Sequence, residues 1–382
     1  METGRMKTKI IAMYLPQYHE TEENNRWWGE GFTDWVSTKN AEPLYRGHNQ
    51  PRVPLDENYY DLSQVNVLKE QTQMAKQYGI DGFCFYHYWF SSSFKTLYKP
   101  AENYLQHSEI DFPFMFAWDN SSWIRTWSKF KKNANAWSPK KDSATDSGED
   151  NGVLAQLEYG NSEDWKIHFD YLLPFFQDNR YIKVSNRPVF IFWNNYQKET
   201  LVQMREAWNT WAREAGFEGM YFITRDDPYK DVSGFDSLFN YEPQFSGWLN
   251  IGFFGRVFQR IRYLLGKETL KKYSYEKVWK KILRYADKHP QNYYGAFVRY
   301  DDTPRRGKTG KVIAEESPSC FEKYFSKLYS LSCSREKELL FLTAWNEWGE
   351  GAYLEPDTKD GFAYLEAVSH VVNDQVNKVG DK

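Results

Sequence analysis

Eight short apolar runs, separated by segments of helical spacing, limit the fold of this chain more than any other feature. The runs are apolar on both faces, which is typical of strands buried on both sides of a sheet. They comprise residues 9–16, 80–90, 112–119, 187–194, 219–227, 235–243, 293–302 and 339–345. Helical spacing lies between or after them at 63–78, 164–177, 199–215, 254–288, 318–331 and 361–376. Alternating strands and helices predict an α/β fold with a parallel sheet, and eight strands can close into a (β/α)8 TIM barrel.

An open, doubly wound sheet is the alternative fold, because the helical patterns at 97–107 and 228–233 are weak. The first connection between a strand and a helix, residues 17–62, is long and aromatic, and in a barrel it would cover the catalytic face. We therefore predict a single (β/α)8 barrel over residues 1–382, with long βα loops.

Two segments depart from the alternating pattern. Residues 129–152 are polar and rich in turn-forming residues, which predicts a loop. Residues 245–288 form a basic helical insertion, with eleven Lys and Arg against three Asp and Glu between Arg256 and Lys288. The part from 254 to 288 could contact an anionic membrane or a lipid-linked substrate, although an outer helix with a solvated charged face fits the same pattern.

Charge and cysteine content exclude several classes of function. The net charge is -3, from 49 basic and 52 acidic side chains, so the whole chain does not attract nucleic acid. Three cysteines without C-x-x-C spacing argue against a disulfide framework or a zinc site, and no histidine has metal-ligand spacing. We expect no metal and no cofactor. The apolar run 10–15 is too short for a signal peptide and no run reaches about 18 apolar residues, so we expect a cytoplasmic protein, with membrane association through the basic insertion as a further possibility.

Polar and aromatic residues follow most of the predicted strands. The active site of a (β/α)8 barrel lies at the C-terminal ends of its strands, so these residues are the candidates for contact with a substrate. The aromatic content of 19% suits both cores and clefts that bind sugar rings. The candidates are Tyr14, His87, Tyr88, Trp118, Asp119, Asn120, Tyr241, Glu242, Asn346, Trp348 and Glu355. A buried core histidine is an equal alternative for His87.

The stretch AWNEWGEGAYLEPD at 344–357 places clustered carboxylates directly after the last strand. Glu347 and Glu350 are three residues apart and would face one cleft if the chain turns at Gly349. Cleavage of a glycosidic bond needs one carboxylic acid to protonate the leaving oxygen and a second carboxylate to assist at the sugar. These two glutamates are the predicted catalytic residues.

This stretch, with YLPQYH (14–19), WWGEGFTDW (27–35), FCFYHYWF (83–90) and YDDTPRR (300–306), resembles the WbsX-type proteins of bacterial polysaccharide gene clusters. These are related to glycoside hydrolase family 99, the endo-α-mannosidases and endo-α-mannanases. The resemblance implies a (β/α)8 barrel and retention of configuration through a 1,2-anhydro sugar. It assigns Glu347 as the base at the sugar 2-hydroxyl, Glu350 as the acid/base and Glu355 to a structural role. Gly349 replaces the family's histidine.

The function predicted from this resemblance is cleavage of an α-mannoside-like linkage in a bacterial surface polysaccharide or its precursor, which could be lipid-linked. A glycosyltransferase of O-antigen or capsule synthesis is the first alternative, since WbsX-type proteins are commonly described so. The chain lacks G-x-G-x-x-G, and its pairs Asp226-Asp227 and Asp301-Asp302 are adjacent rather than Asp-x-Asp. A non-catalytic carbohydrate-binding barrel is the second alternative. The orientation of Glu347 and Glu350 tests the enzyme hypothesis, and the sequence does not define an oligomeric state.

Overall fold

The computed structural model describes residues 7–124, 153–195, 198–251 and 270–380, together with the single positions 255, 257 and 261. The predicted polar loop at 129–152 lies outside the described residues. So does most of the segment 252–269 within the predicted basic insertion.

Eight parallel strands form a closed barrel. They are β1 (Lys9–Tyr14), β2 (Gly82–Ser91), β3 (Phe114–Trp118), β4 (Arg187–Phe192), β5 (Tyr221–Arg225), β6 (Ser237–Phe239), β7 (Tyr294–Phe297) and β8 (Leu339–Thr343). Their spatial order is β6-β5-β4-β3-β2-β1-β8-β7, and a parallel bridge between Phe239 and Tyr293 joins the two ends. The predicted (β/α)8 barrel is confirmed, and the open sheet is excluded.

Glycine permits the final closure of the barrel. A Cβ atom at Gly295, in β7, would lie 1.7 Å from the carbonyl oxygen of Asn240, the residue that follows β6. Any larger residue would separate the two strands at this position.

In the described ranges, seven helices of eight or more residues surround the strands. They are α1 (Val65–Gln77), α2 (Lys99–Gln106), α3 (Ser162–Gln177), α4 (Lys198–Glu214), α5 (Tyr275–Lys288), α6 (Pro318–Ser334) and α7 (Ala363–Gly380). The weak pattern at 97–107 is therefore helical, whereas the pattern at 228–233 is a turn, and β5 and β6 are joined without a helix. Ser317 caps α6 by accepting a hydrogen bond from the Cys320 amide, as its sequence suggests. Every helix in the described ranges is too short or too polar to span a bilayer.

Short elements cover the C-terminal end of the barrel. The helical ones are Glu22–Trp28, Trp35–Lys39, Leu55–Glu57, Phe245–Leu249, Thr303–Arg306, Gly307–Thr309 and Trp348–Glu350. The extended ones are Phe94–Thr96, Trp123–Ile124, Val153–Ala155, Lys271–Ser274, Lys311–Ala314, Asn346–Glu347 and Ala352–Tyr353. The short strand Lys183–Val184 lies at the opposite end, where it pairs with the beginning of β4. The long first connection, residues 17–62, is anchored at this end of the barrel, because His48 and Gln50 contact the Asp301 carboxylate at 2.7 and 2.8 Å. It covers this face, as the sequence predicts.

Candidate active site

A tight hairpin after β8 carries both predicted catalytic glutamates. Residues Asn346–Glu347 pair with Ala352–Tyr353, and the turn between them is a short 3₁₀ segment. Gly351 has φ +55°, and a Cβ there would lie 3.0 Å from backbone and side-chain atoms of Asp301. Glycine is required at this turn because no other residue adopts a left-handed conformation in so little space. The hairpin places Glu347 and Glu350 on the same side.

One guanidinium joins three carboxylates in this site. Arg305 Nη2 lies 2.8 Å from Glu347 Oε1 and 2.9 Å from Asp34 Oδ2, and Arg305 Nη1 lies 3.0 Å from Glu350 Oε1. A Cβ at Gly349 would lie 2.6 Å from Arg305 Nε. The guanidinium therefore occupies space that any side chain at position 349 would need, and this position is the one where the family resemblance implies histidine.

The two glutamates differ in their exposure to water. The Glu347 side chain is 5% exposed, whereas that of Glu350 is 24% exposed. Burial raises the pKa of Glu347 to about 8. The attraction of Arg305 lowers this pKa, and the nearby Glu350 and Asp34 carboxylates raise it. Burial likewise raises the pKa of Asp34, despite its pairing with Arg305. Three carboxylates share one cation in this cluster, and burial favours the protonated form of Glu347 and Asp34.

Glu347 and Glu350 line one cleft, with a volume of about 260 Å³. Its other lining residues are Leu15, Gln17, Tyr86, Tyr88, Asp119, Trp193, Arg225, Tyr241, Gln244, Trp248, Tyr300, Arg305, Arg306 and Lys311. Aromatic rings and hydrogen-bonding groups thus surround the two carboxylates, a combination that suits a sugar. The carboxylates do not form salt bridges on the outside of the barrel, the arrangement that would have refuted the enzyme hypothesis.

Two further cavities flank this cleft. A cavity of about 400 Å³ shares Gln17, Asp119, Arg305 and Arg306 with it and is also lined by Trp28, Phe32 and Trp123. On the other side, a cavity of about 220 Å³ shares Trp193, Arg225, Tyr241 and Gln244. Among the described residues, the cleft with the carboxylate pair therefore shares part of its wall with each of two further cavities.

Three of the eleven predicted contact residues line the cleft: Tyr88, Asp119 and Tyr241. The Tyr88 hydroxyl accepts a hydrogen bond from Gln17 at 2.8 Å, and the Tyr241 hydroxyl accepts one from Tyr86 at 3.2 Å. Burial raises the pKa of Asp119. Their place at strand ends was a correct guide to their position.

Four predicted contact residues instead hold the hairpin in place, and two of them, Asn346 and Trp348, are part of it. Tyr14 is fully buried and donates to Gln71, and Asn346 forms two hydrogen bonds with the backbone of Leu15. Trp348 stacks on Tyr353 with ring centroids 3.6 Å apart. Glu355 accepts hydrogen bonds from Tyr60, Gln71 and Trp348, and burial raises its pKa to about 7. These four residues lie outside the lining of the cleft, so their contact with a substrate stays a prediction, and the bonds of Glu355 fit the structural role that the resemblance implies for it.

The remaining four predicted residues face the helices or the neighbouring loops. His87 contacts His168 of α3 at 2.8 Å between Nε2 atoms, and burial lowers its pKa to about 3, so the core alternative applies. Trp118 donates to the Trp89 carbonyl. Asn120 bonds to both backbone groups of Asn194, and Glu242 accepts from Ser246. These four residues lie outside the lining of the cleft, and their contact with a substrate stays a prediction.

Asp34 and Arg305 were missed by the search of strand ends, because Asp34 directly precedes the short helix Trp35–Lys39 and Arg305 lies in the short helix Thr303–Arg306. The only available signal was their presence in two of the motifs quoted above, WWGEGFTDW and YDDTPRR. In the described part of the chain, no group of three or more His, Cys, Asp and Glu side chains is arranged to hold a metal ion.

A parallel (β/α)8 barrel with paired glutamates on its C-terminal face defines the class of architecture. The chain belongs to the family described as Glycosyltransferase WbsX, whose profile matches residues 10–368. The protein WxcX of Xanthomonas campestris pv. campestris strain B100, described as uncharacterized, is 29% identical over 381 residues, which cover 94% of this chain and 48% of WxcX. WxcX of a second strain, ATCC 33913, gives the same values. The chain thus spans about half the length of the curated relatives it matches.

Two solved structures share the fold. The glycoside hydrolase family 99 endo-α-mannosidase of Bacteroides thetaiotaomicron has a TM-score of 0.55 and 12% identity, with 99% of this chain and 100% of that chain covered. A structure described as a glycoside hydrolase-like protein has a TM-score of 0.58 and 13% identity, covering 97% and 96% of the two chains. At this identity the likeness is one of fold.

Proposed function

We propose that this protein is a retaining glycoside hydrolase that cleaves an α-mannoside-like linkage in a bacterial surface polysaccharide or its precursor. The observation that carries the proposal is the pair Glu347 and Glu350, which face one aromatic-lined cleft and share one guanidinium. The fold of the mannosidase supports it as an analogy.

In the proposed reaction, the Glu347 carboxylate removes the proton from the 2-hydroxyl of the sugar. The oxygen attacks C1, the bond to the leaving oxygen breaks, and Glu350 gives that oxygen its proton. Glu350 then takes a proton from water, which attacks C1 and opens the three-membered ring, while Glu347 returns its proton to O2. Two inversions at C1 give retention. The more exposed position of Glu350 suits a group that meets both the leaving group and water.

Arg305 is the positioning residue of this mechanism. It fixes the two carboxylates relative to each other, and its charge favours ionised Glu347 against burial. Since the pKa of Glu347 is raised to about 8, the active base form accumulates as the pH rises through that value.

A glycosyltransferase is the second candidate, because the matched family carries that description. Transfer in the same cleft would use a sugar hydroxyl in place of water. A carbohydrate-binding barrel without turnover is the third.

The test is incubation with a panel of α-mannosides, with and without nucleotide sugars. We expect release of sugar without a nucleotide sugar, and at least about a hundredfold loss in Glu347→Gln and in Glu350→Gln. Glu366→Gln, on the exposed side of α7, is the matched control and should retain full activity. Transfer only from a nucleotide sugar would favour the second candidate, and binding without any turnover the third.

A further inference from the structure

Basic side chains are concentrated on the rim of the cleft beside Glu350. Arg306 ends the short helix Thr303–Arg306, and Lys311 begins a strand that pairs in parallel with Lys271–Ser274. In this ribbon Lys271 is the register partner of Lys311. Three cationic groups from two separate loops therefore meet at one edge.

A single buried carboxylate serves two of these cations. Asp302 Oδ2 lies 3.1 Å from Arg306 Nε and 3.8 Å from Lys311 Nζ. The other acidic group at this edge, Glu350, is 3.0 Å from Arg305. Asp302 also accepts hydrogen bonds from the Lys311 amide and the Tyr300 hydroxyl. Among the described residues, the three cations of this rim therefore share one carboxylate, Asp302, that is not already paired with Arg305.

Both cations can be reached from the cleft. Arg306 and Lys311 line it together with Glu350, and the Arg306 side chain is 53% exposed. Lys311 Nζ lies 5.1 Å from the ring centroid of Trp248, whose ring packs against Tyr300. Burial lowers the pKa of Lys311; the Asp302 and Glu350 carboxylates oppose this shift, whereas Arg306 and Lys271 add to it. A bound anion would act in the same direction as the two carboxylates.

We propose that this rim, formed by Arg306, Lys311 and Lys271, binds an anionic oxygen group carried by the glycan, a carboxylate or a phosphate ester. Arginine presents a planar fork to either group and lysine a point charge. The proposal rests on the proposed function and adds to it that the substrate is an acidic glycan. A sugar held between Trp248 and Glu350 would direct such a group to the rim.

Binding tests the proposal without turnover. We would titrate the protein at low ionic strength with mannose 6-phosphate, mannose, glucuronate, glucose and inorganic phosphate, using ligand-observed NMR. We expect at least one charged sugar to bind about tenfold tighter than its neutral counterpart, the size of one charge-assisted hydrogen bond, and salt to reduce the advantage. Comparing mannose 6-phosphate with mannose, and glucuronate with glucose, shows whether the rim prefers a phosphate ester or a carboxylate.

Variants locate the effect. The double variant Arg306→Gln, Lys311→Met should lose the tenfold preference, Lys271→Met should reduce it, and Arg306→Lys should keep most of it. Lys76→Met is the control, because Lys76 is exposed on α1 and pairs with Asp111 away from the cleft. Thermal unfolding of each variant would show whether it is folded. If the double variant is unfolded, the binding preference of the single variants Arg306→Gln and Lys271→Met tests the proposal instead.

Equal affinity for charged and neutral sugars would overturn the proposal. So would a preference that survives in the double variant, or inorganic phosphate that binds as tightly as mannose 6-phosphate. Because these measurements need no catalysis, their failure is distinct from failure of the proposed hydrolysis.

Discussion

Replacing Arg305 by methionine is the most informative perturbation of this site. The substitution keeps much of the side-chain volume and removes the charge that pairs with Asp34, Glu347 and Glu350. Asp34 and Glu347 are 1% and 5% exposed, so they would lose their cation in a dry environment. Breaking a buried ion pair by removing one partner costs about 3 to 5 kcal/mol. We expect a loss of that size in the free energy of unfolding at pH 8.

The loss should depend on pH with a definite sign. The pKa of Glu347 is raised in the folded protein, so ionisation of this group weakens folding as the pH rises from the ordinary carboxylate range to about 8. Arg305 opposes the rise in the pKa of Glu347, so its removal raises that pKa further and extends to higher pH the range over which stability falls. Below about pH 4.5, where Glu347 is protonated in the folded protein, the loss should be smaller than at pH 8.

Urea unfolding of both proteins between pH 4 and pH 9 is the assay. Arg306→Met is the matched control. The Arg306 side chain is 53% exposed, so its ion pair should contribute less than about 1 kcal/mol to the free energy of unfolding. Equal losses in the two variants, or a loss for Arg305→Met that does not change with pH, would refute the argument from buried charge.

Three further predictions concern the hairpin that carries Glu347 and Glu350 and the residues that hold it in place. The pH profile of kcat/KM should rise toward a midpoint near pH 8, the pKa of Glu347, and a plateau already reached at pH 6 would contradict Glu347 as the base. Burial raises the pKa of Glu355 to about 7, so ionisation of this group should lower the wild-type free energy of unfolding as the pH rises from about 4.5 to 7. Urea titrations of Glu355→Gln should not show this contribution. Gly349→Ala, whose Cβ would lie 2.6 Å from Arg305 Nε, should lower kcat at least about tenfold, whereas Gly247→Ala, with nothing within 4 Å, should not.

The barrel was predictable from sequence because its strands are buried on both faces and read as continuous apolar runs. The hairpin that carries Glu347 and Glu350 follows the last of these runs, so the position of the pair was predictable too. The direction of side chains at strand ends was harder to predict. Alternate residues of β2 point to opposite sides, so Tyr86 and Tyr88 line the cleft while His87 faces α3. An unbroken apolar run hides this alternation.

Asp34 and Arg305 could not be placed from sequence for a different reason. They are 271 residues apart, in two loops whose approach depends on closure of the whole barrel. Single-sequence reasoning detects local periodicity, and no local pattern marks an ion pair of this separation.

The most direct test of the central claim is the anomeric configuration of the first product. We would follow cleavage of an α-mannoside by ¹H NMR from the earliest time points, before mutarotation, for the wild type and for Glu347→Gln and Glu350→Gln. The account predicts that the α-anomer appears first and that neither variant forms it at an appreciable rate. First appearance of the β-anomer, or full activity in either variant, would contradict the two-glutamate mechanism.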